Sequence, residues 1–149
     1  MSSALAIYNA VKAALVAKQA TTLNYVKFIY DGWRNREDMP AYPVIVIEPK
    51  RSPESPHTVP NYIRNTFELT IMPIMEVYNP NNQITGDSGA KGILDMDADI
   101  KNIISADKTL GGTAIKLWFP DTEYVWDFFP YRYADITLAV EYIKQDTNR

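Results

Sequence analysis

Apolar residues recur along this chain at two spacings, one helical and one alternating, and the changes between them mark out its elements. Ile7, Tyr8, Val11 and Leu15 fall at helical spacing and predict a helix over roughly residues 3–19 with one buried stripe. Ser2 and Ser3 precede it, and a serine oxygen there satisfies a first-turn N–H that has no partner inside the helix. Thr21 and Thr22 break the pattern. Tyr25 to Tyr30, rich in aromatic and β-branched residues, then predicts a strand. Asp31-Gly32 and Asp38-Met39-Pro40 are turn signals. Pro43 introduces Val44-Ile45-Val46-Ile47, apolar at every position, as in a central strand covered on both faces.

Residues 49–60 carry Pro49, Pro53, Pro56 and Pro60. Proline cannot donate to a sheet ladder, so a loop or hairpin tip is expected there rather than a central strand. Asn61 to Val77 alternates as a long strand does, with Phe67, Leu69 and Ile71 facing one way and Thr66, Glu68 and Thr70 the other. Pro73 suggests an edge or a bulge at its far end. Asn79-Pro80-Asn81-Asn82 is a turn-rich tract that separates the two halves of the chain.

The second half reads as one continuous unit. Ile93, Met96, Ile100, Ile103 and Ile104 fall within an arc of about 100° on a helical wheel, and predict a helix from near Asp87 or Ser88 to about Ala106. Gly111-Gly112 supplies the left-handed or extended backbone needed to reverse into a strand over Thr113 to Phe119. An aromatic-rich loop follows. The closing strand, Arg132 to Tyr142, sets Ala134, Ile136, Leu138, Val140 and Tyr142 on one face and Tyr133, Asp135, Thr137 and Glu141 on the other. The expected fold is α+β: a mixed, mainly antiparallel sheet of about five strands packed with two helices, in one domain over residues 1–149.

Composition narrows the function classes. With 149 residues the chain is long enough to bury about 70% of its unfolded surface. A net charge of −3 and a pI near 5.1 argue against nucleic-acid binding driven by a global positive field. The absence of cysteine excludes disulfides and thiolate metal sites. Lys12 and Lys18 interrupt the N-terminal stretch, which does not read as a secretory signal, and nowhere do about 18 apolar residues run together. A soluble protein is expected.

Three motifs imitate chemistry. Asp95-Met96-Asp97-Ala98-Asp99 opens like a calcium loop, but the glycine and bidentate glutamate such a loop requires are replaced by Ile100 and Ala106. Acidic residues early in a helix are favoured by its positive end, and Asp97 stands one turn before Lys101. His57, the single histidine, sits between Pro56 and Thr58 in the proline-rich stretch, where nothing local orients an imidazole for catalysis. Gly86-Asp87-Ser88-Gly89-Ala90-Lys91-Gly92 lacks the residue order of a phosphate loop and reads as a lead-in to the second helix. No catalytic residue, metal ligand or cofactor is expected, and the chain reads as a non-enzyme.

The aromatic tract is the most unusual composition. Residues 118–133 hold Trp118, Phe119, Tyr124, Trp126, Phe128, Phe129, Tyr131 and Tyr133, nearly half of the chain's aromatics. Only Arg132 is basic there, against Asp121, Glu123 and Asp127, which disfavours a nucleic-acid backbone. Aromatics anchor protein interfaces, and Trp118, Phe119, Trp126, Phe128 and Phe129 are the candidate interface residues. The same tract could instead fold back over its own core or form a stacking platform for a ligand.

The layout as a whole resembles the tail terminator (tail-completion) proteins of long-tailed bacteriophages. The resemblance rests on a short N-terminal helix, Tyr42-Pro43-Val44-Ile45-Val46-Ile47-Glu48, a long strand reached through a loop, and Ile93 through Ala106 leading into Asp107-Lys108-Thr109-Leu110-Gly111-Gly112. It closes with Ala139-Val140-Glu141-Tyr142. It implies a non-enzymatic subunit of a homo-oligomeric ring, a hexamer, which caps the tail tube, ends its polymerisation and provides the surface for head attachment. The implied partners are further copies of the chain, the tail-tube protein and head–tail connector or neck proteins. DNA would pass through the lumen without sequence-specific binding, and no membrane is involved. The implied location is the virion tail, assembled in the host cytoplasm. Two other readings remain: a neck or head-completion protein, and a small carbohydrate- or ligand-binding module built on the aromatic tract.

Overall fold

A computed structural model describes residues 3–35, 38–59, 62–77, 83–86, 91–126 and 130–145. The first helix, α1 (Ala4–Val16), starts where Ser3 accepts a hydrogen bond from the Ala6 N–H at 3.1 Å. Ile7, Val11 and Leu15 are fully buried along its stripe, and turns over 17–25 replace the expected last turn of helix. The strands are β1 (Phe28–Asp31), β2 (Val44–Arg51), β3 (Glu54–Val59), β4 (Tyr62–Glu76), β5 (Lys116–Trp126) and β6 (Tyr131–Gln145), and α2 (Ile93–Ser105) lies between β4 and β5.

All six strands form one sheet in the order β1-β2-β4-β6-β5, with β3 paired to β4 off that path. Among the described residues only β1–β2 is parallel. The fold is α+β as the periodicities imply, with six strands where about five were expected. β4 and β6 pair from Tyr62↔Gln145 to Glu76↔Tyr131, with a gap at Met72 and Pro73. β2 and β3 share the other side of β4, opposite Glu68–Ile74 and Tyr62–Asn65 respectively.

The register sorts the side chains into two faces. Ile45 and Ile47, Phe67, Leu69 and Ile71, and Ala134, Ile136, Leu138, Val140 and Tyr142 join the stripes of α1 and α2 in the main core. Each fully buried large aliphatic side chain contributes about 1.5–3 kcal/mol. On the opposite face Val44, Val46, Met72 and Ile74 form a smaller core beneath Met39, Tyr30, Tyr42 and Tyr133. This double cover is why Val44 to Ile47 is apolar throughout.

Four expectations are corrected. Much of the stretch at 49–60 is strand, not loop: β2 runs to Arg51, and β3 follows. Pro49 and Pro56 sit at irregularities, with register shifts at Pro49/Arg51 and between Glu54 and Thr58, where an N–H is least missed. Pro53 lies between the two strands, and Pro60 lies outside the described residues. Pro73 lies neither at an edge nor at a bulge. It pairs with Ile45, while the β6 ladder skips Met72 and Pro73 and resumes at Ile74↔Tyr133 in the same register.

The second helix begins at Ile93, later than expected, because backbone from upstream takes its first-turn donors. The Ile93 N–H bonds Gln83 O at 2.8 Å and the Leu94 N–H bonds Ile84 O at 3.1 Å. Gly92 permits this approach, since a Cβ there would collide with the Ile84 carbonyl and the Gly86 nitrogen. Finally, the expected aromatic loop is largely strand, since β5 continues to Trp126, paired with Arg132. The turn tract Asn79–Asn82 lies outside the described residues.

Candidate interaction surfaces

The three acidic residues of the calcium-like motif have separate partners, each tying α2 to something else. Asp95 accepts from the Gly92 N–H at 3.0 Å and closes the helix N-terminus. Asp97, buried, meets Lys101 Nζ at 3.0 Å and accepts from the Tyr124 hydroxyl at 2.7 Å. Asp99 accepts from the Tyr25 hydroxyl at 2.9 Å and faces Lys91 at 3.6 Å. Among the described residues no group of three His, Cys, Asp or Glu side chains is placed to hold a metal ion.

These bonds shift the phenols. Burial, then the Asp99 hydrogen bond, raises the Tyr25 hydroxyl well above the usual tyrosine range. The hydrogen bond to Asp97, then burial, pushes Tyr124 up to about 12. Near α1, burial and then the Asp31 hydrogen bond raise Tyr8, which also donates to Ile47 O at 3.0 Å. Asp31 in turn is held below the usual carboxylate range by Lys12 and Tyr8.

The turn after α2 is fixed by Asp107. Its carboxylate accepts from the Thr109 N–H at 3.1 Å, the Thr109 hydroxyl at 2.8 Å and the Gly111 N–H at 2.7 Å, which lowers its pKa. Leu110, Gly111 and Gly112 all take positive φ, at 49°, 70° and 90°. Only glycine adopts this region without cost, so the Gly-Gly pair is a reversal device, as its sequence suggests.

The remaining sequence candidates scatter. The backbone at His57 belongs to β3 rather than to a loop tip. In the glycine-rich lead-in, Asp87–Ala90 lie outside the described residues. Trp118 stands half-exposed on the outer strand β5, opposite Ala139, with Lys116 Nζ 5.2 Å from its ring. Phe119 packs partly against the main core. Trp126 ends β5 instead of sitting mid-loop. Phe128 and Phe129 lie outside the described residues.

A second aromatic surface was not anticipated. On the face away from the helices, Phe28 stacks on Tyr30 at 5.6 Å and Trp33 meets Tyr133 at 5.6 Å. Tyr42 meets Tyr131 at 5.1 Å, and the Arg34 guanidinium lies 4.5 Å over the Tyr30 ring. Phe28 and Trp33 remain more than 40% exposed, although both flank a packed core. The available signal was Val44 to Ile47: a strand apolar on both faces requires cover on the side that the helices leave open.

No protein-family model matches the chain, and no curated protein matches it. Among solved structures, a chain from the virion of a native gene transfer agent (GTA) particle shares the fold. The TM-score is 0.55 over 92% of this chain and 94% of that one, at 12% sequence identity. At that identity the likeness is one of fold.

Proposed function

We propose that this chain is a non-enzymatic structural subunit of a virion, and specifically the ring-forming subunit that caps a tail tube, ends its polymerisation and offers the head its attachment surface. The observation that carries this reading is the end-to-end fold likeness to a chain of the gene transfer agent virion. The order of elements adds the narrower role, since helix, long strand, helix, Leu-Gly-Gly reversal and closing strand follow the tail terminator layout. The acidic residues of α2, engaged in capping and tying the helix to its neighbours, fit a scaffold better than a reaction centre.

In this role the chain assembles with its own copies into a ring, a hexamer by the family likeness. The ring meets tail-tube protein on one side and head–tail connector or neck proteins on the other. Electron microscopy and light scattering of the purified chain, alone and mixed with tail-tube subunits, test the reading. Closed rings, or tubes of arrested length, are expected. A chain that stays monomeric in both conditions removes the proposal.

A further inference from the structure

The two outer strands of the main sheet path, β1 and β5, lie at opposite ends of the sheet, and the exposed charges without an ion pair beside them differ in sign. At the β1 end, Lys27 and Arg34 are exposed and form no ion pair among the described residues. Arg34 lies over the Tyr30 ring and its charge acts on Asp31, which Lys12 holds, and Glu48 accepts from the Trp33 N–H at 2.6 Å. At the β5 end Lys116 faces Glu141 at 3.8 Å, which leaves Asp121 and Glu123, both exposed, without an ion pair among the described residues. Glu123 stands directly opposite Asp135, whose Oδ1 is buried without a hydrogen-bond partner. Like charges in that relation destabilise an isolated sheet, and a cation from outside would relieve them.

Each end also exposes aromatic surface, Phe28 at β1 and Trp118 at β5. β5 is not built to extend its ladder onto another strand. Pro120, which has no N–H to donate, and the register shift between Trp118 and Asp121 make the strand irregular at its middle, so a contact there is made through side chains.

We propose that the β5 edge of one copy of this chain meets the β1 edge of the next, with Asp121 and Glu123 facing Lys27 and Arg34. The inference rests on the ring reading and supplies its contact surface. The two surfaces are different and sit at opposite ends of one sheet, so the contact is head to tail and repeats until rotation closes it.

Paired charge reversals test it by sedimentation velocity and native mass spectrometry. A Lys27→Glu/Arg34→Glu variant has two acidic edges, and an Asp121→Lys/Glu123→Lys variant has two basic ones. Each alone should need at least about tenfold more protein to assemble. Mixed in equal amounts they should assemble again as alternating rings, and the variant carrying all four changes should assemble by itself. Neutral versions, Lys27→Gln/Arg34→Gln and Asp121→Asn/Glu123→Gln, should melt like the wild type and weaken assembly less.

Wild-type rings that ignore both reversals overturn this surface while leaving the ring reading intact. Reversals that break rings without rescue by the mixture or the fourfold variant also overturn it, and direct attention to a different partner at those edges. A wild-type chain that never forms rings removes both the surface and the reading beneath it.

Discussion

The Tyr124 hydroxyl donates to the Asp97 carboxylate at 2.7 Å, joining the outer strand β5 to α2 across the helix-bearing face of the sheet. Lys101 meets the same carboxylate from one turn further along the helix. Removing the donor should therefore cost less than removing the shared acceptor. Tyr124→Phe is expected to lose about 0.5–1.5 kcal/mol, and Asp97→Ala about 1–3 kcal/mol, because the latter strands two partners. Urea denaturation of the two variants measures the difference. Equal losses would mean that the carboxylate does not couple the two groups.

Ile100 and Trp118 should fail in different ways. Ile100 is fully buried mid-stripe on α2, so Ile100→Ala leaves a cavity and costs about 2–5 kcal/mol. Trp118 is half-exposed on β5, and as an interface anchor its truncation should weaken assembly by about 2 kcal/mol while changing the subunit's melting temperature little. Thermal melts beside a ring-formation assay separate the two. If Trp118→Ala lowers the melting temperature as far as Ile100→Ala does, its main work is inside its own subunit.

Alkaline pH should unfold the protein in a particular window. Burial and carboxylate hydrogen bonds raise the phenols of Tyr8 and Tyr25 in the fold. Their contribution is complete below the unfolded tyrosine pKa of about 10, and is lost as pH rises above it, because the unfolded chain gives up those protons first. Stability is expected to fall from about pH 10 upward, and phenolate absorbance should develop late and together with unfolding. Tyr25→Phe should make that decline shallower. A slope identical to wild type would detach Tyr25 from the alkaline transition.

Gly92→Ala tests the backbone approach at the start of α2. The added methyl would overlap the Ile84 carbonyl, which accepts from the Leu94 N–H. A loss of about 1–3 kcal/mol is expected, with faster amide exchange at Ile93 and Leu94. Unchanged exchange at both amides would show that residues 83–86 are dispensable for the helix start.

Where periodicity coincides with burial, the chain was readable. The stripe of α2 and the alternation of β6 predict most of their buried residues, since each pattern has one apolar face and one polar face. Asp97, Thr137 and Ala139 are buried on the other faces, and Ile103 is only partly buried. The hairpin of β5 and β6 was less legible because aromatic residues suit a strand, a core lid and an interface equally well. The start of α2 was hidden for another reason: the donors of Ile93 and Leu94 are met by carbonyls of Gln83 and Ile84, a contact no residue type announces, and the N-cap, Gly92, has no capping side chain. The aromatic surface over Val44 and Val46 is assembled from Phe28, Tyr30, Trp33, Tyr42 and Tyr133, which no single window brings together.

The pairing of β4 with β6 carries a consequence for how this molecule is made. The two strands form the middle of the sheet, yet they come from opposite halves of the chain. During synthesis β4 emerges with β2 on one side and nothing on the other, and it waits for α2 and β5 before β6 arrives. Until then the open side of β4 is a template for the wrong strand, including the same strand of another nascent copy. Closure of the last ladder is therefore the step at which the chain stops being an aggregation hazard and becomes a building block, and truncation before Tyr131 should yield insoluble protein rather than a smaller folded domain.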